Sequence, residues 1–98
     1  MPLPVEFHPE ADEELAASFN WYREKSRQAA QHFLDEARMV RQLMEEYPQA
    51  GARYLHGTRK LVFHSLPFLL VYRPLPQRLQ IIAVAHTSRK PGYWRHRL

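Results

Sequence analysis

Apolar positions along the chain change period twice, and the changes divide it into three parts. Residues 3–7 (LPVEF) alternate, with Leu3, Val5 and Phe7 on one side, which predicts a short strand. Pro4 cannot donate to a ladder, so this strand belongs at a sheet edge. From Pro9 the period becomes helical: Ala11, Leu15, Phe19 and Tyr22 form one stripe. Pro9 suits a first helical turn, and Glu10, Asp12, Glu13 and Glu14 complement the positive end of that helix. A polar break, REKSRQ, follows, with Ser26 as N-cap of a second helix. There Phe33, Ala37, Val40, Met44 and Tyr47 step by four, three, four and three, a narrow apolar seam. Pro48 disfavours helical geometry at Tyr47, and Gly51 follows, so the helix stops near this point. Two helices so closely joined predict an antiparallel hairpin.

The remainder reads as strands: residues 59–65 (RKLVFHS), 68–73 (FLLVYR) and 79–85 (LQIIAVA), separated by Leu66-Pro67 and by a turn at Pro74 and Pro76. The last two are apolar on both faces, as central strands are. The order is β-α-α-β-β-β. It predicts an α+β fold in which an N-terminal helical hairpin packs on a small, mainly antiparallel sheet. Ninety-eight residues suit a single domain, 1–98. No repeat, low-complexity tract or linker interrupts the pattern.

Charge sharpens this picture. The net charge of +4 hides two unlike halves. Residues 1–50 hold ten acidic and five basic side chains, a net of −5; residues 51–98 hold nine basic and none acidic, a net of +9. One reading is an acidic helical half neutralising a basic half within one fold. The other, favoured, is a basic face for a polyanion or an acidic protein. The densest segment is the last thirteen residues, HTSRKPGYWRHRL, which combine cations for charge-assisted contacts with aromatic stacking planes.

The chain contains no cysteine, so thiolate chemistry and Cys-based zinc sites are excluded, and a reducing cytoplasm is the expected location. No apolar run approaches the roughly 20 residues of a spanning helix, and no signal peptide or membrane association is expected. Six histidines are scattered without HExxH spacing, so no metal or other cofactor is expected. No serine sits in a GxSxG elbow, and three glycines build no phosphate loop.

Metal-free RNA cleavage stays open. It needs a base for the 2′-hydroxyl, an acid for the leaving oxygen and cations around the phosphorane. His64, His86, Tyr93, Lys60, Arg59, Arg73 and Arg89 are of the right types. Each also has a structural alternative. Arg73 could end a strand, Tyr93 and Trp94 could pack the tail on the sheet, and His86, in phase with Ile82 and Val84, could be a core-edge histidine bonded to a backbone carbonyl.

Several segments in order, VEFHPEADEEL, WYREKS, AAQHFLDEA, the Tyr47-Pro48 break, LPFLLVYR and IIAVAHTSRKPGYWRHR, make the chain resemble the RelE/ParE superfamily of type II toxin–antitoxin toxins, particularly its ParE-like members. The resemblance spans nearly the whole length. It implies a toxin held inactive by a cognate antitoxin that has a DNA-binding N-terminal domain and an acidic C-terminal segment, with operator DNA met only through that antitoxin. RelE-like members cleave mRNA on the ribosome; studied ParE-like members poison DNA gyrase. By this resemblance Lys60 and Tyr93 fall at two places of a RelE-type site. Leu69 and Thr87, however, stand where RelE-like nucleases have arginines, and Val62 replaces a further basic residue. The expectation is therefore a ParE-like gyrase inhibitor that binds its target through Arg59, Lys60, Arg73, His86, Arg89, Tyr93, Trp94 and Arg97. The alternative is a ribosome-dependent endonuclease using Lys60, His86, Arg89 and Tyr93. A third reading is a non-toxic module that only binds the antitoxin. Trp21, off the Leu15/Phe19/Tyr22 stripe, is the candidate marker of an antitoxin groove.

Overall fold

The computed structural model describes residues 3–98. Strand β1 (Val5–Phe7) leads into helix α1 (Pro9–Lys25) and helix α2 (Arg27–Glu46). Strands β2 (Ala52–Arg53), β3 (Arg59–Val62), β4 (Phe68–Leu75) and β5 (Arg78–His86) follow, with one-turn 3₁₀ segments at Leu55–Gly57 and Arg95–Arg97. The sheet order is β1-β5-β4-β3-β2, antiparallel except where β1 runs parallel to β5. The α+β class and the helical hairpin on a mainly antiparallel sheet are as the sequence predicts. The pattern did not reveal β2. It is two residues long and exposed on both sides, so it has no apolar period to read.

Local chemistry explains the helix limits. His8 caps α1 by accepting the Glu10 N–H at Nδ1, ahead of Pro9 in the first turn. Ser26 serves both helices. Its N–H bonds to the Tyr22 carbonyl and its hydroxyl accepts the Ala29 N–H, so one residue turns the chain. At Tyr47, next to Pro48, the backbone leaves helical geometry. Tyr47 is accordingly exposed (62%) and does not join the seam that buries Phe33, Val40 and Met44.

The hairpin packs on one sheet face around an aromatic cluster. Phe33 lies 5.5 Å from Tyr22 and 5.2 Å from Phe68, ring centroid to centroid. Tyr72, fully buried, donates to the Pro48 carbonyl (2.8 Å) and accepts the Gly51 N–H (3.0 Å), tying the α2–β2 connection to the sheet. The buried Glu36 carboxylate accepts the N–H groups of Ser65 and Leu66 and the Ser65 hydroxyl, and so fixes the β3–β4 turn. Burial alone would push its carboxyl up, but these donors and His32 hold it below the ordinary carboxylate value.

A bulge in β5 resets the strand phase. Val71 pairs with Ala83 and Tyr72 with Ile81, leaving Ile82 as the extra residue. Ile82 therefore packs with Ala83, Ala85 and Trp94 on the outer face, whereas Val84 belongs to the helix-side core. The expected common phase of Ile82, Val84 and His86 is broken for this reason.

Candidate functional site

The tail after β5 folds back in three successive turns, closed by Arg89 N–H to the His86 carbonyl, Tyr93 N–H to Lys90 and Arg95 N–H to Gly92. Gly92, at φ +83°, takes the left-handed conformation that the second of these, with Pro91 and Gly92 as its central residues, requires. The result lays Trp94 on the outer face of the sheet, where it is 1% exposed and packs near Tyr54 (6.0 Å) and His56 (6.1 Å). An exposed stacking role for Trp94 does not fit this placement; burial of its large apolar area anchors the tail instead.

A second anchor is ionic. Glu14, in the first half of α1, accepts the Tyr93 hydroxyl (2.5 Å) and both terminal nitrogens of Arg97 (2.8 and 3.0 Å). Arg97 Nε also donates to Glu10 (2.7 Å), which His96 joins at 2.7 Å. This bidentate geometry is the strong form of the Arg–carboxylate pair. The Arg97 side chain is only 6% exposed, so it has no free face for a target. The Glu14 charge, expected to serve only the helix end, thus holds the tail. Burial, with the hydrogen bond to Glu14 and the carboxylate charge, pushes the Tyr93 phenol far above its ordinary value. Glu10 is lowered, chiefly by its bond with His96.

The same pair seals a sheet edge. β1 covers β5 only from Leu79 to Ile81. Beyond it, the Val84 N–H donates to Glu14 (3.1 Å), and the Ile82 carbonyl accepts from Arg97 (3.0 Å). Side chains therefore complete the ladder where the strand partner ends.

Other predicted residues divide by location. Arg89 stacks on the Tyr93 ring (3.9 Å), and Lys60 lies over Tyr54 (4.5 Å). His86, Arg89, Lys90, Tyr93 and Trp94 border one small recess with Tyr54 and Leu69. His86 is exposed, and its Nδ1 is engaged by the Ser88 N–H and hydroxyl rather than by a backbone carbonyl. Arg59 instead donates to the carbonyls of Gly51 (2.7 Å) and Gln49 (3.2 Å), and Arg73 to Gln80 (2.8 Å), which in turn meets Glu6. These two are structural ties away from the recess. Trp21, 55% exposed, lies beneath Lys25 and borders a cleft of about 490 Å³ with Tyr22, Phe68 and His86. Among the described residues no group of three or more His, Asp or Glu is placed to hold a metal ion, and no helix is long and apolar enough to cross a membrane.

The outer face thus presents Arg89, Lys90 and Arg95 as exposed cations around a buried aromatic anchor. A family model described as the ParE toxin of the type II toxin–antitoxin system parDE matches residues 5–91. No curated protein matches the chain. A solved structure described as the chromosomal ParDE TA system from P. aeruginosa superposes with a TM-score of 0.74 at 20% identity, covering 88% of this chain and 97% of the other. At that identity the likeness concerns the fold.

Proposed function

Because this chain belongs to the ParE toxin family of type II toxin–antitoxin systems, we propose that it inhibits DNA gyrase by binding and is neutralised by a cognate antitoxin. Binding rather than cleavage is supported by the state of Tyr93. A nuclease would need that hydroxyl for proton transfer or base positioning at the RNA. Here it is half-buried and its proton is already donated to Glu14, while burial and that carboxylate disfavour its ionisation. Leu69 and Thr87 add no cation to the recess. What the face offers is a rigid, tail-anchored set of exposed cations, suited to an acidic protein surface.

In this reading Arg89, Lys90 and Lys60 make the target contacts and His86 lies at their border. Tyr93, Trp94 and Arg97 hold the tail that presents them. Purified protein is expected to inhibit gyrase supercoiling in a concentration-dependent way, and the Arg89→Ala/Lys90→Ala pair to weaken inhibition by about tenfold or more. Supercoiling that proceeds unchanged at every toxin concentration refutes the gyrase target. Ribosome-dependent mRNA cleavage that disappears in Tyr93→Phe would replace this reading with the nuclease.

A further inference from the structure

The connection between β2 and β3 holds an uncommon backbone. His56, at φ 57° and ψ 38°, is the one non-glycine residue with positive φ among the described residues, and Gly57 follows it at φ 77°. A side chain in that region crowds its own backbone, which glycine avoids, and such positions gather at binding sites. The connection is nevertheless held firmly. Tyr54 N–H donates to the Thr58 carbonyl (2.9 Å), and the buried Thr58 donates its N–H (3.2 Å) and hydroxyl (2.6 Å) to the Leu55 carbonyl. Residues 54–58 thus form a closed loop in which Leu55 (39%) and His56 stay exposed.

This loop abuts the tail. A Cβ at Gly92 would lie 3.6 Å from Leu55 Cδ1 and 3.8 Å from His56 Nε2, and the Tyr54 and His56 rings both flank Trp94. Cations stand on each side of it. Arg53 shares a polar cleft with Tyr54 and Gly57, Lys60 lies over the Tyr54 ring, and Arg89 and Lys90 share the tail recess with Tyr54. An exposed leucine and an imidazole bordered by cations have the layout of an interface centre inside a charged rim.

Charge selects the occupant. No carboxylate follows Glu46 in the chain, so a second copy docked by this face would set like charges against each other. A surface that offers an apolar side chain flanked by carboxylates is complementary. We infer that the loop of residues 54–58 is the selective half of the target-binding surface: Leu55 and His56 receive an apolar side chain of gyrase whose neighbouring carboxylates meet Arg53, Arg89 and Lys90. The inference rests on the gyrase reading above and divides the work within it. Cations attract acidic surfaces in general, whereas the loop accepts only one with a matching apolar contact. Because its own hydrogen bonds already close the loop, little of it has to be ordered on binding.

The test titrates the full chain into gyrase supercoiling reactions and measures the melting temperature of each variant alongside. Leu55→Gln and His56→Asn change exposed side chains, and asparagine is well tolerated in the left-handed region. Each is expected to raise the half-inhibitory concentration about tenfold or more while melting within about 3 °C of wild type. Met39→Gln changes an exposed position on α2, which packs on the opposite sheet face, and is expected to inhibit as wild type. A shift below tenfold in both loop variants, a loss that accompanies a larger drop in melting temperature, or an equal loss in Met39→Gln overturns the inference while leaving the gyrase reading standing. Wild-type protein that leaves supercoiling unchanged removes both.

Discussion

Replacing Glu14 by Gln should loosen the tail and cost a large share of the stability. The wild-type carboxylate accepts four donors: the Val84 N–H, the Tyr93 hydroxyl and two Arg97 nitrogens. A Gln side chain has one acceptor oxygen, and its NH₂ would face the guanidinium. Its partner Arg97 stays buried, now with only Glu10 and the Ile82 carbonyl. Removing one member of a buried ion pair costs about 3–5 kcal/mol. Because Arg97 keeps these two acceptors, the low end applies, about 3 kcal/mol. For a domain of this size that lowers the melting temperature by roughly 10–20 °C. The tail can be watched separately. In a Trp21→Phe background, Trp94 is the only tryptophan left, and its emission should shift red as the tail detaches. A Glu14→Leu/Arg97→Met double variant, which replaces the pair with apolar volume, should recover part of the loss. A Glu14→Gln protein within about 0.5 kcal/mol of wild type, with unshifted emission, would refute the anchoring role.

Three further outcomes follow from the same contacts. Tyr72→Phe should lose about 1–3 kcal/mol in urea unfolding, because the Gly51 N–H and Pro48 carbonyl lose their shared partner. Gly51→Ala should be destabilised in the same assay, since a Cβ there would lie 2.7 Å from the Tyr72 hydroxyl and 2.9 Å from the Lys60 carbonyl; a neutral result would mean the loop yields freely. Glu36 has a lowered carboxyl, so its stabilising contribution is complete above the unfolded-state value near 4.5 and disappears as pH falls through the lower folded value. Urea midpoints measured from pH 7 to 3 should fall more steeply for wild type than for Glu36→Gln, and equal slopes would contradict that assignment.

The sequence was most legible where period and punctuation agree. Pro9, Ser26 and Pro48 bound the helices because each acts on its immediate neighbours. The three long strands announce themselves by apolar runs. The bulge at Ile82 was not legible, since it depends on how β4 and β5 align rather than on either strand alone. Nor was the use of Glu14, whose partner Arg97 is 83 residues away. A signal was present, however. Within the acidic first turns Glu10 and Glu14 form the one i,i+4 carboxylate pair, which places them one turn apart on a common face. The site residues split for a related reason. Composition marked the tail as basic and aromatic, but only burial separates Trp94 and Arg97, which hold it, from Arg89 and Lys90, which it presents.

The bond between Glu14 and Arg97 also has a consequence for the order of assembly. The helical hairpin and the β3–β4–β5 meander are made of near-neighbour contacts and can form early. The β1–β5 pairing and the Glu14 cluster join opposite ends of the chain, and such long-range closure is slow. During synthesis α1 emerges long before the residues that complete it. Until Tyr93, Trp94 and Arg97 arrive, the outer sheet face stays uncovered and the β5 edge unsealed. The cationic surface that would engage a target is therefore the last part of the molecule to become rigid.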